Sequence, residues 1–472
     1  MNASLSANHQ PDPYSPEFIT MVKDWVAQHF EAFKADLADL VKHQSLAFDG
    51  YDRDALHASS DAVAELFRDV GLYELHRLTE VDDDGNTSGP AVLARVAATD
   101  NKPTMLLYAH HDVQPVGDPS AWHTDPWVAT EYQGRLYGRG TADDKAGIIV
   151  HYAALKALNE LLGPDHGLGV TVFIEGEEEI GSPFFAQFLQ HHRELLAADT
   201  IVVADSSNWS VDVPALTTSL RGMMDGVIEV TVADHPVHSG LFGGPMLDAV
   251  TVLSRIIASL HDAAGDVAVE GLKQTRWADV RYDEDEFRNQ TGAIEGLKLV
   301  GTGNLADRLW NKAALNIIGI DATSISESAN AIVPTARARF SMRLGPGMEP
   351  HEAMQAVISH ISALDVHGAK VQVYPGESGR PFVVEPDTAA TDMMKQALSD
   401  AWGIDAIETG LGGSIPFVAE LVDAFPNANI LLTGVEDPDT KAHAPNESLD
   451  LSVLRHAIEA EILVLARMAM SR

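Results

Sequence analysis

Apolar residues along this chain recur at two periods, and their order predicts a sheet covered by helices. Residues 18–42 carry Val22, Trp25, Val26, Phe30, Phe33, Leu37 and Leu40 at helical spacing, and a second helical stretch runs from about 55 to 70. Strands are predicted at 91–96 and 103–109, the second leading directly into His110-His111-Asp112. A helix over 146–162, with Ile149, Tyr152, Ala153, Leu155 and Leu158 on one face, precedes an unbroken apolar strand at 169–174. A helix near 184–197 and a strand at 200–204 that ends in Asp205 follow. Strands that alternate with helices, each ending in an acid or a histidine, indicate an α/β fold with a mostly parallel sheet.

From about residue 214 the pattern changes. A long strand at 217–233, a helix at 246–262, an irregular acidic insertion with Trp277 and Trp310, strands at 315–320 and 335–345, a helix at 350–364 and a strand at 369–375 follow in turn. That βαββαβ order describes an inserted ferredoxin-like α+β domain. The closing segment returns to α/β style, with a helix at 388–402, a glycine-rich turn at 410–416, a strand at 429–433 and a last helix at 451–470. The expected domains are therefore 1–213 with 382–472, interrupted by 214–381.

The bulk properties narrow the partners. At 472 residues, 45% of them hydrophobic, the chain is long enough for two cores. Asp plus Glu number 69 against 32 Lys plus Arg, and the net charge of -37 repels nucleic acid and anionic lipid. There is no cysteine, which excludes disulfides, thiolate metal sites and a cysteine nucleophile; any metal must be held by His and carboxylate. The polar first 18 residues lack the basic and apolar regions of a signal peptide, and no stretch approaches the ~20 apolar residues of a membrane span, so the cytoplasm is the expected compartment.

The chemistry gathers at the strand ends. Metal-assisted hydrolysis with two hard-to-borderline ions needs a bridging carboxylate, terminal His or carboxylate ligands and a carboxylate base beside the bound water. His110, Asp112, Asp143, Glu178, Glu179 and Asp205 supply most of such a set, and the segment 441–447 offers His443. Strand alternation in His110-x-Asp112 would put both side chains on one face, letting Asp112 orient His110. Adjacent Glu178 and Glu179 would point different ways, which suits one ligand and one base. His111, His151, His235, Glu175 and Glu177 are read as structural.

Six motifs in order make the pattern specific. They are Tyr108-Ala-His-His-Asp-Val-Gln-Pro-Val116, Gly138-Arg-Gly-Thr-Ala-Asp-Asp-Lys-Ala-Gly147, Glu175-Gly-Glu-Glu-Glu-Ile-Gly-Ser182, His238-Ser-Gly240 with Phe242-Gly-Gly244, Gly412-Gly-Ser-Ile-Pro416 and Ala442-His-Ala444. Together they resemble the co-catalytic zinc metallopeptidase family of carnosinase, cytosolic non-specific dipeptidase, the aminoacylases and succinyl-diaminopimelate desuccinylase, with more of the dipeptidase than of the desuccinylase branch. The resemblance implies two zinc ions per subunit, with manganese or cobalt as substitutes. His110 and Asp205 would hold one ion and Glu179 and His443 the other, with Asp143 bridging them. Glu178 would be the general base, Asp112 the partner of His110, and His238 an oxyanion donor to a partner subunit, which implies a homodimer through the inserted lid and dimerisation domain. Arg343, Gly413 and Ser414 would contact the substrate, and the Asp143–Asp144 peptide would be cis. The implied reaction is amide hydrolysis of dipeptides or short peptides with a free C-terminal carboxylate, by hydroxide shared between the zinc ions. The alternatives are an N-acyl-amino-acid deacylase and, from another class, a silent metal- or peptide-binding protein.

Overall fold

The computed structural model describes residues 12–72, 74–384, 388–413 and 416–471. The chain forms two compact units, one made of Met1–Thr218, Val384–Thr409 and Glu420–Arg472, the other of Ser219–Val383 and Gly410–Ala419.

The first unit is built on a sheet whose strands lie in the order Glu74–Leu78, Ala91–Val96, Gly169–Glu175, Thr104–His110, Thr200–Val203, Asn429–Leu432 and Ala215–Leu220. The four strands from Gly169–Glu175 to Asn429–Leu432 run parallel, and the flanking strands are antiparallel. Gly169–Glu175 is buried at every position, as expected of a central strand covered on both faces. Helix Lys145–Leu162 packs between this sheet and helices Pro16–Val41 and Leu451–Met470. The apolar stripe read from residues 22–40 is the buried face of Pro16–Val41. Val22, Phe33 and Leu37 are at most 1% exposed, each worth roughly 1.5–3 kcal/mol of burial.

A separate three-stranded sheet joins Thr130–Tyr132, Arg135–Tyr137 and Ser448–Asp450. Pairing Ser448 with Tyr137 brings the chain just before residue 448 against the chain just after 137, and Gly138 N donates to Glu447 O at 3.1 Å.

In the second unit, strands Ala314–Asp321, Thr335–Leu344, Gly222–Thr231 and Lys370–Gly379 form an antiparallel sheet in that order. With helices Ala249–Ser259 and Pro350–Ser362 in the connections, this is the βαββαβ ferredoxin-like arrangement. Along Thr335–Leu344 every second residue, from Ala336 to Leu344, is buried against the helices.

Three expectations about elements are corrected. The strand expected at 217–233 is two strands in two sheets, separated at Arg221, whose backbone N–H is taken by Leu411 O at 3.1 Å. Both halves have the same β-branched, apolar character, and periodicity carries no information about which partner each half pairs with. The helix near 184–197 breaks at His192 into Phe185–His191 and Arg193–Leu196. The stretch at 410–416 is not simply a turn, because strand Ile407–Leu411 enters it and helix Pro416–Ala424 leaves it.

Candidate metal centre

The parallel strands deliver their last residues to one end of the sheet. His110 stands opposite Glu175 in the register, and Ala204 N donates to Tyr108 O at 3.1 Å, so Asp205 follows level with His110. Carboxyl ends of parallel strands are where open α/β sheets gather ligands. Beyond Glu175 the chain turns into a short 3-10 helix, Glu178–Ile180. On this turn the two adjacent glutamates face different partners.

Two groups of ligand-type atoms result. His110, Glu178 and Asp205 have donor atoms within 4.8 Å of one another, and so do Asp143, Glu179 and His443. Asp143 touches both groups, with Oδ1 3.1 Å from His110 Nε2 and Oδ2 2.9 Å from His443 Nε2. His443 Nε2 also lies 3.3 Å from Glu179 Oε2, and His110 Nε2 lies 4.0 Å from Glu178 Oε2. All these residues belong to the first unit. The structure thus brings together all five sequence-derived ligand candidates and Glu178, from five separate chain segments.

Supporting contacts fix the set. Asp112 is fully buried; its Oδ1 accepts from Glu178 N at 3.1 Å and its Oδ2 from Glu179 N at 3.0 Å. The same Oδ1 is 3.3 Å from His110 Nδ1. The strand ends at His110, so it is the turn beyond the strand, not strand alternation, that returns Asp112 to the ring. Asp144 is the N-cap residue of helix Lys145–Leu162, yet its side chain makes no capping bond; Oδ2 instead accepts from His110 N at 3.2 Å. The Asp143–Asp144 peptide is cis. A β-carbon on Gly147 would lie 2.4 Å from Asp144 Oδ1, so this approach requires glycine there.

Several contributors were not singled out from the sequence. Glu447 Oε1 accepts from the backbone N–H of Ala142 and of Asp143, at 3.1 and 3.3 Å, while Oε2 takes Arg139 Nη1 at 2.5 Å. Gln114 Nε2 donates to Glu179 Oε2 at 2.7 Å. Lys145 Nζ, fully buried, donates to Leu40 O and His43 O. Arg139, Glu447, Gln114 and Lys145 all lie inside or beside the quoted motifs, so motif membership was the available signal. Their partners, up to 308 positions away, were not. The residues read as structural have structural partners: His111 with Pro90 O, His151 with Glu461, Glu175 with the Tyr108 hydroxyl and Glu177 with Arg53.

The electrostatics fit cations. Burial, with neighbouring carboxylates adding to it, holds Glu178 and Glu179 above the usual carboxylate range and raises Asp205 to about 7. Burial disfavours the charge on Asp143 too, but hydrogen bonds from His110 and His443 outweigh it and hold the group below its ordinary value. The converse is seen on His443, which its contacts to Asp143 and Glu179 raise to about 11. The opposed shifts of the acids and of His443 show that this acidic pocket favours positive charge within it. Glu179 Oε1 is buried without a hydrogen-bond partner. Nitrogen and carboxylate donors, no thiolate, and an orphaned buried oxygen suit zinc or a similar divalent ion.

Of the remaining sequence-derived candidates, His238, Arg343 and Gly413 belong to the second unit. His238 is exposed, and its Nδ1 accepts from Gly240 N at 3.1 Å. Arg343 is half-buried on strand Thr335–Leu344, paired with Ala314 on one side and Met223 on the other. Gly413 is exposed, and Ser414 lies outside the described residues. Among the described residues no helix is long and apolar enough to cross a membrane.

The sequence model for peptidase family M20/M25/M40 matches residues 106–467. Cysteinylglycine-S-conjugate dipeptidase of Corynebacterium striatum is 34% identical over 431 residues, spanning 90% of this chain and 93% of the relative. Among solved structures, the di-peptidase Dug1p of Saccharomyces cerevisiae superposes with a TM-score of 0.76 at 22% identity, covering 96% of this chain and 99% of that one. Human carnosine dipeptidase 1 gives 0.76 at 24% identity, covering 97% and 100%. These two likenesses show a shared fold.

Proposed function

The chain belongs to peptidase family M20/M25/M40, and from that premise we propose that it is a metal-dependent dipeptidase using two zinc ions per subunit. The observation that carries the reading is Asp143, whose two oxygens face His110 and His443 from opposite groups. A carboxylate so placed would suit a bridge, and His110 and Asp205 would then hold one ion and Glu179 and His443 the other. When bound, the ions lower the pKa of water and polarise the scissile carbonyl.

The protein's own groups do the rest. Glu178, on the turn beside His110 and Asp205, takes the proton of the attacking water at Oε2 and passes it to the leaving amine. Its raised affinity for a proton, caused by burial and nearby carboxylates, supports that shuttle. Asp112 keeps Nδ1 of His110 engaged, so that Nε2 would be the atom left to hold an ion. Arg343 and Gly413 receive the substrate's terminal carboxylate, with Ser414 as a further contact, which favours short peptides over internal bonds. His238 donates to the oxyanion in a second copy of the chain, making the working form a homodimer. The exposure of His238 and of the nearby Leu241 and Phe242, at 75% and 53%, supports a covered face there. The N-acyl-amino-acid alternative receives no support from relatives that bear dipeptidase names.

The test is substrate and metal together. Purified protein stripped with a chelator should be inactive and recover with two equivalents of zinc, manganese or cobalt. It should then cleave a panel of dipeptides faster than N-acetyl or N-succinyl amino acids. Preference for the acylated amino acids, or full activity of the stripped protein, overturns the reading. Sedimentation should give twice the chain mass of 50.8 kDa.

A further inference from the structure

Arg221 stands at the break between strands Ala215–Leu220 and Gly222–Thr231 and is only 9% exposed. It holds the glycine turn by two hydrogen bonds. Its backbone N–H donates to Leu411 O at 3.1 Å, its Nε donates to Gly412 O at 3.1 Å, and its Nη2 lies where a β-carbon on Gly412 would come within 3.1 Å of it. A β-carbon at position 412 would crowd both the guanidinium and Leu309 O, at 3.1 and 3.2 Å. In a trans peptide the carbonyl and the following N–H point in opposite directions. Drawing Gly412 O toward Arg221 turns the N–H of exposed Gly413 the other way.

The charge is the second observation. Gly222 pairs with Leu344 and Met223 with Arg343, so Arg221 lies just past the strand end that carries Arg343's neighbour. Arg343 is the like charge that acts on Arg221, and the Arg221 guanidinium itself donates to the carbonyls of Gly412 and Arg308, at 3.1 and 3.5 Å. Burial, with that like charge adding to it, lowers Arg221 to about 10. A buried guanidinium held by carbonyls alone, as that of Arg221 is, with a like charge acting on it, is an arrangement that an anion relieves.

We infer that Arg221 is a positioning residue for the substrate's terminal carboxylate, aiming the Gly413 N–H at it and adding a second positive charge to that of Arg343. The inference rests on the reading above that Arg343 and Gly413 receive this carboxylate, and the experiment separates the two. The metal-loaded enzyme is assayed with a dipeptide and with the same dipeptide as its C-terminal amide, for the parent and for Arg221→Met, Arg221→Lys and Arg343→Met. Arg221→Met should raise KM for the free acid roughly tenfold with kcat within a few-fold, and should erase most of the preference for acid over amide. Arg221→Lys keeps the charge but not the fork that grips Gly412 O, and should lose part of the same preference. A merely structural role would lower kcat and folded fraction for acid and amide alike. If Arg343→Met erases the preference while both Arg221 variants keep it, the role of Arg221 is refuted and the carboxylate reading stands. If Arg343→Met keeps it too, both fail. Should Arg221→Met not fold, an unchanged acid-to-amide ratio in Arg221→Lys refutes the inference by itself.

Discussion

Asp112 Oδ1 lies 3.3 Å from Nδ1 of His110, and both side chains are fully buried. The same carboxylate takes the backbone N–H groups of Glu178 and Glu179. One residue thus orients an imidazole and anchors the turn carrying the two glutamates. Asp112→Asn puts an amide N–H2 where an acceptor is needed, so metal affinity should drop about 10- to 100-fold with the fold retained. Competition titration with a chromogenic chelator measures this, and unchanged affinity would remove the role.

Glu178 sits close enough to His110 and Asp205 to be either a base or a third ligand. Glu178→Gln separates these roles. As a base it should cost kcat roughly 10²- to 10⁴-fold while two ions per chain remain, counted by elemental analysis. Loss of one ion would make it a ligand.

Glu447 and Arg139 form a fully buried pair that also grips the peptide leading into Asp143. Removing one charge leaves the other stranded, so Glu447→Gln should destabilise the protein by about 3 kcal/mol in denaturant unfolding. Arg139→Met combined with Glu447→Leu should recover part of that loss. Metal affinity should stay weakened in both, because neither leucine nor a reoriented amide reproduces the double acceptor at Ala142 N and Asp143 N.

Glu459, on the last helix and 3% exposed, has a buried Oε2 without a hydrogen-bond partner. Burial raises it to about 7, against the weaker opposing influence of Lys23 and Arg455. An acid raised on folding contributes stability that is complete below its unfolded value of 4.5 and lost as pH climbs through about 7. Glu459→Gln should therefore raise the unfolding free energy at pH 8 by on the order of 1–3 kcal/mol, read as a higher thermal midpoint, with the gain vanishing below pH 4.5. An equal gain at pH 4 and pH 8 would show that titration of Glu459 is not the cause.

Much of this protein is legible along the chain because burial imposes periods that a sequence displays. The stripe from Val22 to Leu40, the unbroken apolar run before Glu175 and the alternation along 335–344 each announce an element and its buried face. The polar residues that close those strands, His110, Glu175 and Asp205, were visible for the same reason. What periodicity does not contain is pairing between distant segments. Only the tertiary structure inserted Asn429–Leu432 between Thr200–Val203 and Ala215–Leu220, divided one β-rich stretch between two sheets at Arg221, and brought Glu447 onto the backbone of Asp143. Local patterns record how each segment meets the core, whereas partner choice depends on chain closures over hundreds of residues whose cost and reward are settled for the whole fold at once.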